Sequence, residues 1–194
     1  MKAPDKFYGS EDYLHDIASK VSGFTDFGSD DYMTGLRMVL ASMDADPKFT
    51  PSGRQLAWDG IVLSLMARAY AEQGWKDNPN WRSTPIKQPI VITGLVRSGT
   101  TALHKLMGQD PQFQGIEHWL TTAPMARPPR EEWPGHPAYK RAVQWLSGLF
   151  GTSPSAQDTH NIVADEYDEC LELQRQCFVT NRFACTWYSG GYDA

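Results

Sequence analysis

Through the first eighty residues, apolar positions recur three and four apart, the period of helices that bury one face. Tyr13, Leu14, Ile17, Ala18 and Val21 form one such stripe, with Ser10 placed to cap its start. GFTDFGSDD interrupts it. A second stripe follows at Tyr32, Met33, Leu36, Val39, Leu40 and Met43, with Ser29 as its capping candidate. Thr50-Pro51 opens a third helix, Thr at the cap and Pro at the first helical position, where its missing N–H is not needed. This helix is predicted to reach about Glu72 and to bury Leu56, Ile61, Leu65, Met66 and Ala69. The turn-rich GWKDNPNWRSTP, Gly74 to Pro85, then separates a helical region over 1–80 from a second region over 85–194.

The pattern changes at Pro89-Ile90-Val91-Ile92-Thr93, a short and almost wholly apolar run of the kind that forms a strand buried on both faces. A loop from Gly94 to Gly99 and a helix over Thr100 to Met107 follow, ended by Gly108 and Asp110-Pro111. Phe113 to Ile116 is predicted as a short second strand. Proline excludes regular structure from Pro124 to Pro137, a surface loop. A helix from His136 or Pro137 to Phe150 turns Tyr139, Ala142, Val143, Leu146, Leu149 and Phe150 inward. The last helix is predicted from near Asp165, with Cys170, Leu171, Gln174, Cys177 and Phe178 on one face. Buried strand, loop and helix after an all-helical region predict an α/β fold, a P-loop-type parallel sheet flanked by helices.

Composition narrows the classes. With 41% hydrophobic and 21% charged residues in 194, the chain can bury a core. A net charge of −5 without a basic run gives no footprint for nucleic acid or an anionic membrane surface. No run reaches the roughly 18 apolar residues of a membrane span, and the N-terminal residues lack the apolar core of a signal peptide. The three cysteines, Cys170, Cys177 and Cys185, show neither zinc spacing nor a disulfide framework. A cytoplasmic protein without a bound metal is expected.

The candidate chemistry lies in PIVITGLVRSGTTALHKLM. A helix start leaves its first N–H groups without intrahelical partners and carries about half a positive charge, so it attracts anions. Gly94 and Gly99 enclose four residues, as in the phosphate loop GxxxxGK[ST], and glycine permits close approach and positive φ. The lysine of that motif is absent, for Thr100 stands there, followed by Thr101. The loop's cation is Arg97 instead, which suits a 5′-phosphate or phosphosulfate better than a triphosphate with Mg²⁺.

GLVRSGTTAL over Gly94 to Leu103 resembles the 5′-phosphosulfate loop of sulfotransferases that use PAPS, 3′-phosphoadenosine 5′-phosphosulfate, in a bacterial branch with a helical N-terminal region. The resemblance extends to FTDFGSDDYMTGLR, FTPSGR, GIEHW, PMARPPRE and ADEYDECLEL, from about Gly23 to Tyr192. Val96 departs from it, since the branch usually has proline there. The resemblance implies transfer of a sulfuryl group from PAPS to an acceptor hydroxyl, with PAP as the other product. It assigns Arg97 to the phosphosulfate, and Ser98, Gly99, Thr100 and Thr101 to the 5′-phosphate. Glu117 and His118 are candidates for the general base, with His160 a third. Arg127 and Arg130 are candidates for the acceptor side or for loop braces. Trp119, Met125, Trp133 and Trp145 hint at a hydrophobic alcohol as acceptor; a homo-oligomer is left open. The Arg and Ser of a 3′-phosphate site are not found before Ala194, so the chain is expected to be the front part of a longer enzyme and inactive alone. Two other classes compete: a P-loop nucleotide kinase or NTPase, disfavoured by Thr100 in the lysine position, and a non-catalytic helical interaction module.

Overall fold

Helix α1 spans Glu11–Ser22, and its start is not capped as the sequence suggests. Ser10 precedes it, yet the hydroxyl bonds back to the Phe7 carbonyl, leaving Glu11 and Asp12 to complement the positive end of the dipole. Gly23, at φ 83°, closes the helix in the left-handed conformation that costs glycine nothing. The chain is seen here in a computed structural model that describes residues 2–45, 49–95, 98–152, 155 and 162–187. These fold as two units. The first comprises Met1–Gln73, Thr122–Met125 and Leu171–Ala194; the second, Gly74–Thr121 and Ala126–Cys170.

In the first unit a 3₁₀ turn over Asp30–Tyr32 leads into α2, Met33–Ala45, again without a side-chain cap from Ser29. Helix α3, Pro51–Asp77, does start as predicted, with the Gly53 N–H donating to Thr50 Oγ1 at 3.0 Å, and it continues past Glu72. Leu14, Ile17 and Ala18 of α1 meet Leu36, Val39, Leu40 and Met43 of α2 and Ile61, Leu65 and Met66 of α3 in one buried cluster. Leu56, expected inside, is only partly buried, and Trp58 joins the cluster instead, stacked on Phe7 at 5.8 Å. Tyr13 and Val21 lie on the exposed margin of the α1 stripe.

Arg68 is buried on α3 and donates to Phe27 O at 2.5 Å, Ser29 O at 2.9 Å and Asp31 Oδ1 at 2.7 Å. A guanidinium out of water needs its donors satisfied, and this one ties the FTDFGSDD loop to the helix. The last predicted helix begins later, as α7 over Cys170–Gln174, and ends after a 3₁₀ turn at Phe178, φ 53°. Phe178 stacks on Phe183 of α8, Arg182–Trp187, at 5.5 Å inside the same core. Of the expected inner face Phe178 is buried, whereas Cys170 and Cys177 are exposed, as is Cys185.

In the second unit the expected strand over Pro89–Thr93 is not formed. The segment is irregular, with Ile90 57% and Val91 79% exposed. A parallel strand exists only through its neighbours, and among the described residues no strand pairs with it. The Phe113–Ile116 strand is also absent; the described pairing is one antiparallel bridge, Glu117 to Tyr167. Helices α4 (Thr100–Met107), α5 (His118–Thr122) and α6 (Pro137–Thr152) complete the unit. The proline-rich loop is not wholly irregular. A 3₁₀ stretch over Arg130–Gly135 buries Trp133, whose Nε1 donates to Pro128 O at 2.9 Å.

Candidate active site

Gly99 sits at the start of α4 with φ 90°, a left-handed conformation that other residues rarely take. A Cβ on Gly94 would fall 2.6 Å from Ser98 Oγ and 3.1 Å from Thr100 Cγ2, so a side chain there would have to displace the Ser98 hydroxyl. The Ser98 N–H donates to Leu95 O at 3.1 Å and closes the turn. Ser98, Gly99 and Thr101 are exposed at the mouth of α4, and Thr100 is half-buried. Thr101 Oγ1 donates to Glu169 Oε1 at 3.1 Å. Arg97 and His160 lie outside the described residues.

Glu117 and His118 are both buried, at 4% and 1% exposure, and lie at the bridge to Tyr167. Around it His118 N–H donates to Glu166 O at 3.0 Å and Asp168 N–H to Ile116 O at 2.9 Å. Successive side chains along such a pairing take opposite faces. Glu117 therefore shares a face with Tyr167, and His118 shares the other with Glu166 and Asp168.

Glu117 Oε2 lies 3.0 Å from Arg127 Nη2, a close charge contact. It lacks the alignment of a hydrogen bond, because Nη2 gives its aligned bond to Gly115 O at 2.6 Å. Arg127 is thus the partner of Glu117, and Arg130 reaches Asp165 at 3.4 Å. His118 Nδ1 lies 2.5 Å from Asp168 Oδ2, and its ring is roughly parallel to Trp145, with centroids 6.3 Å apart. His118 Nε2 is buried and has no hydrogen-bond partner among the described residues. Thr121 Oγ1 holds the His118 carbonyl at 2.7 Å. Trp119 and Trp133, expected beside an acceptor, are instead core residues packed on each other at 5.6 Å. Among the described residues, no three His, Cys, Asp or Glu side chains group as metal ligands, and no helix is long and apolar enough to cross a membrane.

Sequence reasoning did not find Asp168. It is 50 residues from His118, inside an acidic run that reads as the start of a helix. The signal available was indirect: a buried histidine needs a partner for Nδ1, and ADEYDE offers several.

The profile described as Sulfotransferase family matches residues 89–194, and the chain belongs to that family. It is similar to the crystal structure of sulfotransferase STF1 from Mycobacterium tuberculosis H37Rv, at 34% identity and a TM-score of 0.82, over 96% of this chain and 52% of that one. It also shares the fold of sulfotransferase STF9 from Mycobacterium avium, at 22% identity and a TM-score of 0.70, over 94% of this chain and 47% of that one. The chain spans about half the length of these structures. No functionally curated protein sequence matches it.

Proposed function

We propose that this chain carries the donor loop and the proton acceptor of an enzyme that moves a sulfuryl group from PAPS to a hydroxyl of a hydrophobic small-molecule acceptor. The observation that carries the reading is the Gly94–Gly99 turn opening α4 in a member of the sulfotransferase family. Its glycines leave room for an oxyanion against the backbone, and the free N–H groups at the helix start supply donors without a bound cation. Ser98 through Thr101 hold the 5′-phosphate in this reading, and Arg97 holds the sulfuryl oxygens with its planar fork of donors. In this reading Pro89–Thr93 belongs to the parallel sheet of a P-loop fold, which would cover the exposed Ile90 and Val91.

For the base, His118 is favoured over Glu117. The charge of Glu117 is already matched by Arg127, whereas His118 Nε2 meets no donor among the described residues. An unpartnered buried polar atom costs about 1–3 kcal/mol, a cost that an acceptor hydroxyl would remove. His118 Nε2 takes the hydroxyl proton as that oxygen bonds sulfur. The bond from sulfur to the bridging phosphate oxygen breaks, and PAP leaves with the electron pair. Positioning and charge stabilisation dominate such a loose transfer. The three thiols are free, which suits the reducing cytoplasm.

Calorimetric titration of PAP in the presence of EDTA, followed by an acceptor screen with ³⁵S-labelled PAPS, tests the proposal. Metal-independent PAP binding is expected of the chain, and labelled product would add the transfer step to it. Binding of ATP only with Mg²⁺, and none of PAP, would assign the loop to nucleotide phosphoryl chemistry instead.

A further inference from the structure

Four consecutive residues, Glu166 to Asp168 and Glu169, tie the segment opposite His118 to its surroundings. Glu166 pairs with Lys105, Tyr167 lies against His104 with ring centroids 5.8 Å apart, and Glu169 accepts from Thr101 at 3.1 Å. Three of the four thus reach α4. The fourth, Asp168, reaches His118. Across the Glu117–Tyr167 bridge His118 faces Glu166, and Asp168 is two residues further along the same face. That diagonal relationship brings long side chains within reach of each other. Asp168 spends Oδ1 on the Glu169 N–H at 2.7 Å and directs Oδ2 to His118 Nδ1.

We infer that Asp168 is a positioning residue for sulfuryl transfer, setting the tautomer of His118. A carboxylate only accepts, so neutral His118 must keep its proton on Nδ1, leaving Nε2 as the lone-pair acceptor. Its ring is held by Asp168 at Nδ1 and lies alongside Trp145, and Thr121 holds its backbone carbonyl. Nε2 faces no competing donor among the described residues. The same segment holds α4, so that helix and His118 are tied to one strip of backbone. This inference rests on the sulfotransferase reading of the site.

The test is the nitrogen tautomer of His118, read by long-range ¹H–¹⁵N correlation on the full chain with labelled histidine. His118→Gln identifies its signals among the five histidines. Neutral His118 should carry its proton on Nδ1 in the parent. In Asp168→Asn the Nε2–H form should appear, kcat should fall by about 10²–10⁴-fold, the range of a general base, and PAP affinity should stay within about twofold. A parent ring protonated on Nε2, or an Asp168→Asn variant with unchanged tautomer or unchanged kcat, would overturn the assignment. The parent measurement needs no variant at Asp168 to fold. Absence of metal-independent PAP binding in the parent would instead sink the sulfotransferase reading, and the tautomer would still decide what Asp168 does.

Discussion

Gly108 and Tyr167 touch so closely that a Cβ on the glycine would fall 1.9 Å from Tyr167 Cε2. A Cβ on Gly115 would likewise fall 2.7 Å from Cγ of the same ring. Gly108 has an ordinary helical φ of −66°, so the space it leaves, and not its backbone freedom, is what the fold uses. Gly108→Ala should therefore destabilise through overpacking by about 1–3 kcal/mol. A double-mutant cycle with Tyr167→Ala checks this: the alanine at 108 should cost little once the ring is gone.

Tyr32 gives a prediction at alkaline pH. Burial holds its phenol up at about 12 instead of 10.0, with the Arg68 guanidinium pulling the other way and Asp30 and Asp31 adding to the rise. Between those values the unfolded chain releases a proton that the folded chain keeps. Stability should then fall as pH rises from about 10 to 12. Tyr32→Phe should show a shallower fall over the same window in urea unfolding. Identical slopes in the two proteins would mean the phenol titrates freely.

The helices of the first unit were legible because their cores are local patterns: Leu36, Val39, Leu40 and Met43 lie on one face whatever packs against them. Thr50 and Pro51 marked a start by chemistry confined to four residues. Ser10 failed as a cap because its hydroxyl found the nearer Phe7 carbonyl, a competition that spacing does not reveal. Pro89–Thr93 failed as a strand for a different reason. Its apolar run states what it would bury, but pairing depends on partners that the run does not specify. The site divides in the same way. The glycine loop is a contiguous string, whereas the choice between Glu117 and His118 depends on Arg127 and Asp168, brought to them by a bridge that no local pattern announces.

Arg97→Ala should lower kcat/KM by about 10²–10³-fold, the loss typical of one donor to a developing oxyanion, with the melting temperature nearly unchanged. Arg97→Lys should keep much more activity because the charge is preserved. Parent-like turnover of PAPS by both variants would remove Arg97 from the proposed mechanism.

Glu117→Gln should reduce stability more than catalysis. The change removes the charge facing Arg127 but leaves His118, on the opposite face, in place. His118→Ala should do the reverse, abolishing most of kcat. Steady-state kinetics beside thermal melts separate the two. Loss of kcat in Glu117→Gln with an unaltered His118→Ala would move the base to the carboxylate.

Glu169 offers the sharpest test of how the donor loop binds its anion. Its carboxylate accepts the Thr101 hydroxyl, one of the groups proposed to hold the 5′-phosphate. A phosphate arriving there must take that hydroxyl away from Glu169 and sit near its negative charge. Both effects oppose binding. Glu169 is exposed, so the interaction is screened and modest, in the range of about 0.2–1 kcal/mol for exposed charge pairs. Glu169→Gln should therefore tighten PAP binding by about 1.4- to fivefold, since about 1.4 kcal/mol corresponds to tenfold. The gain should shrink between low and high salt, as screening shortens the reach of the charge. Calorimetric titration of PAP at both salt concentrations measures it. Weaker binding in the variant would show instead that Glu169 supports the site by orienting Thr101, and the hydroxyl would then be a structural donor held by Glu169 and no contact to phosphate.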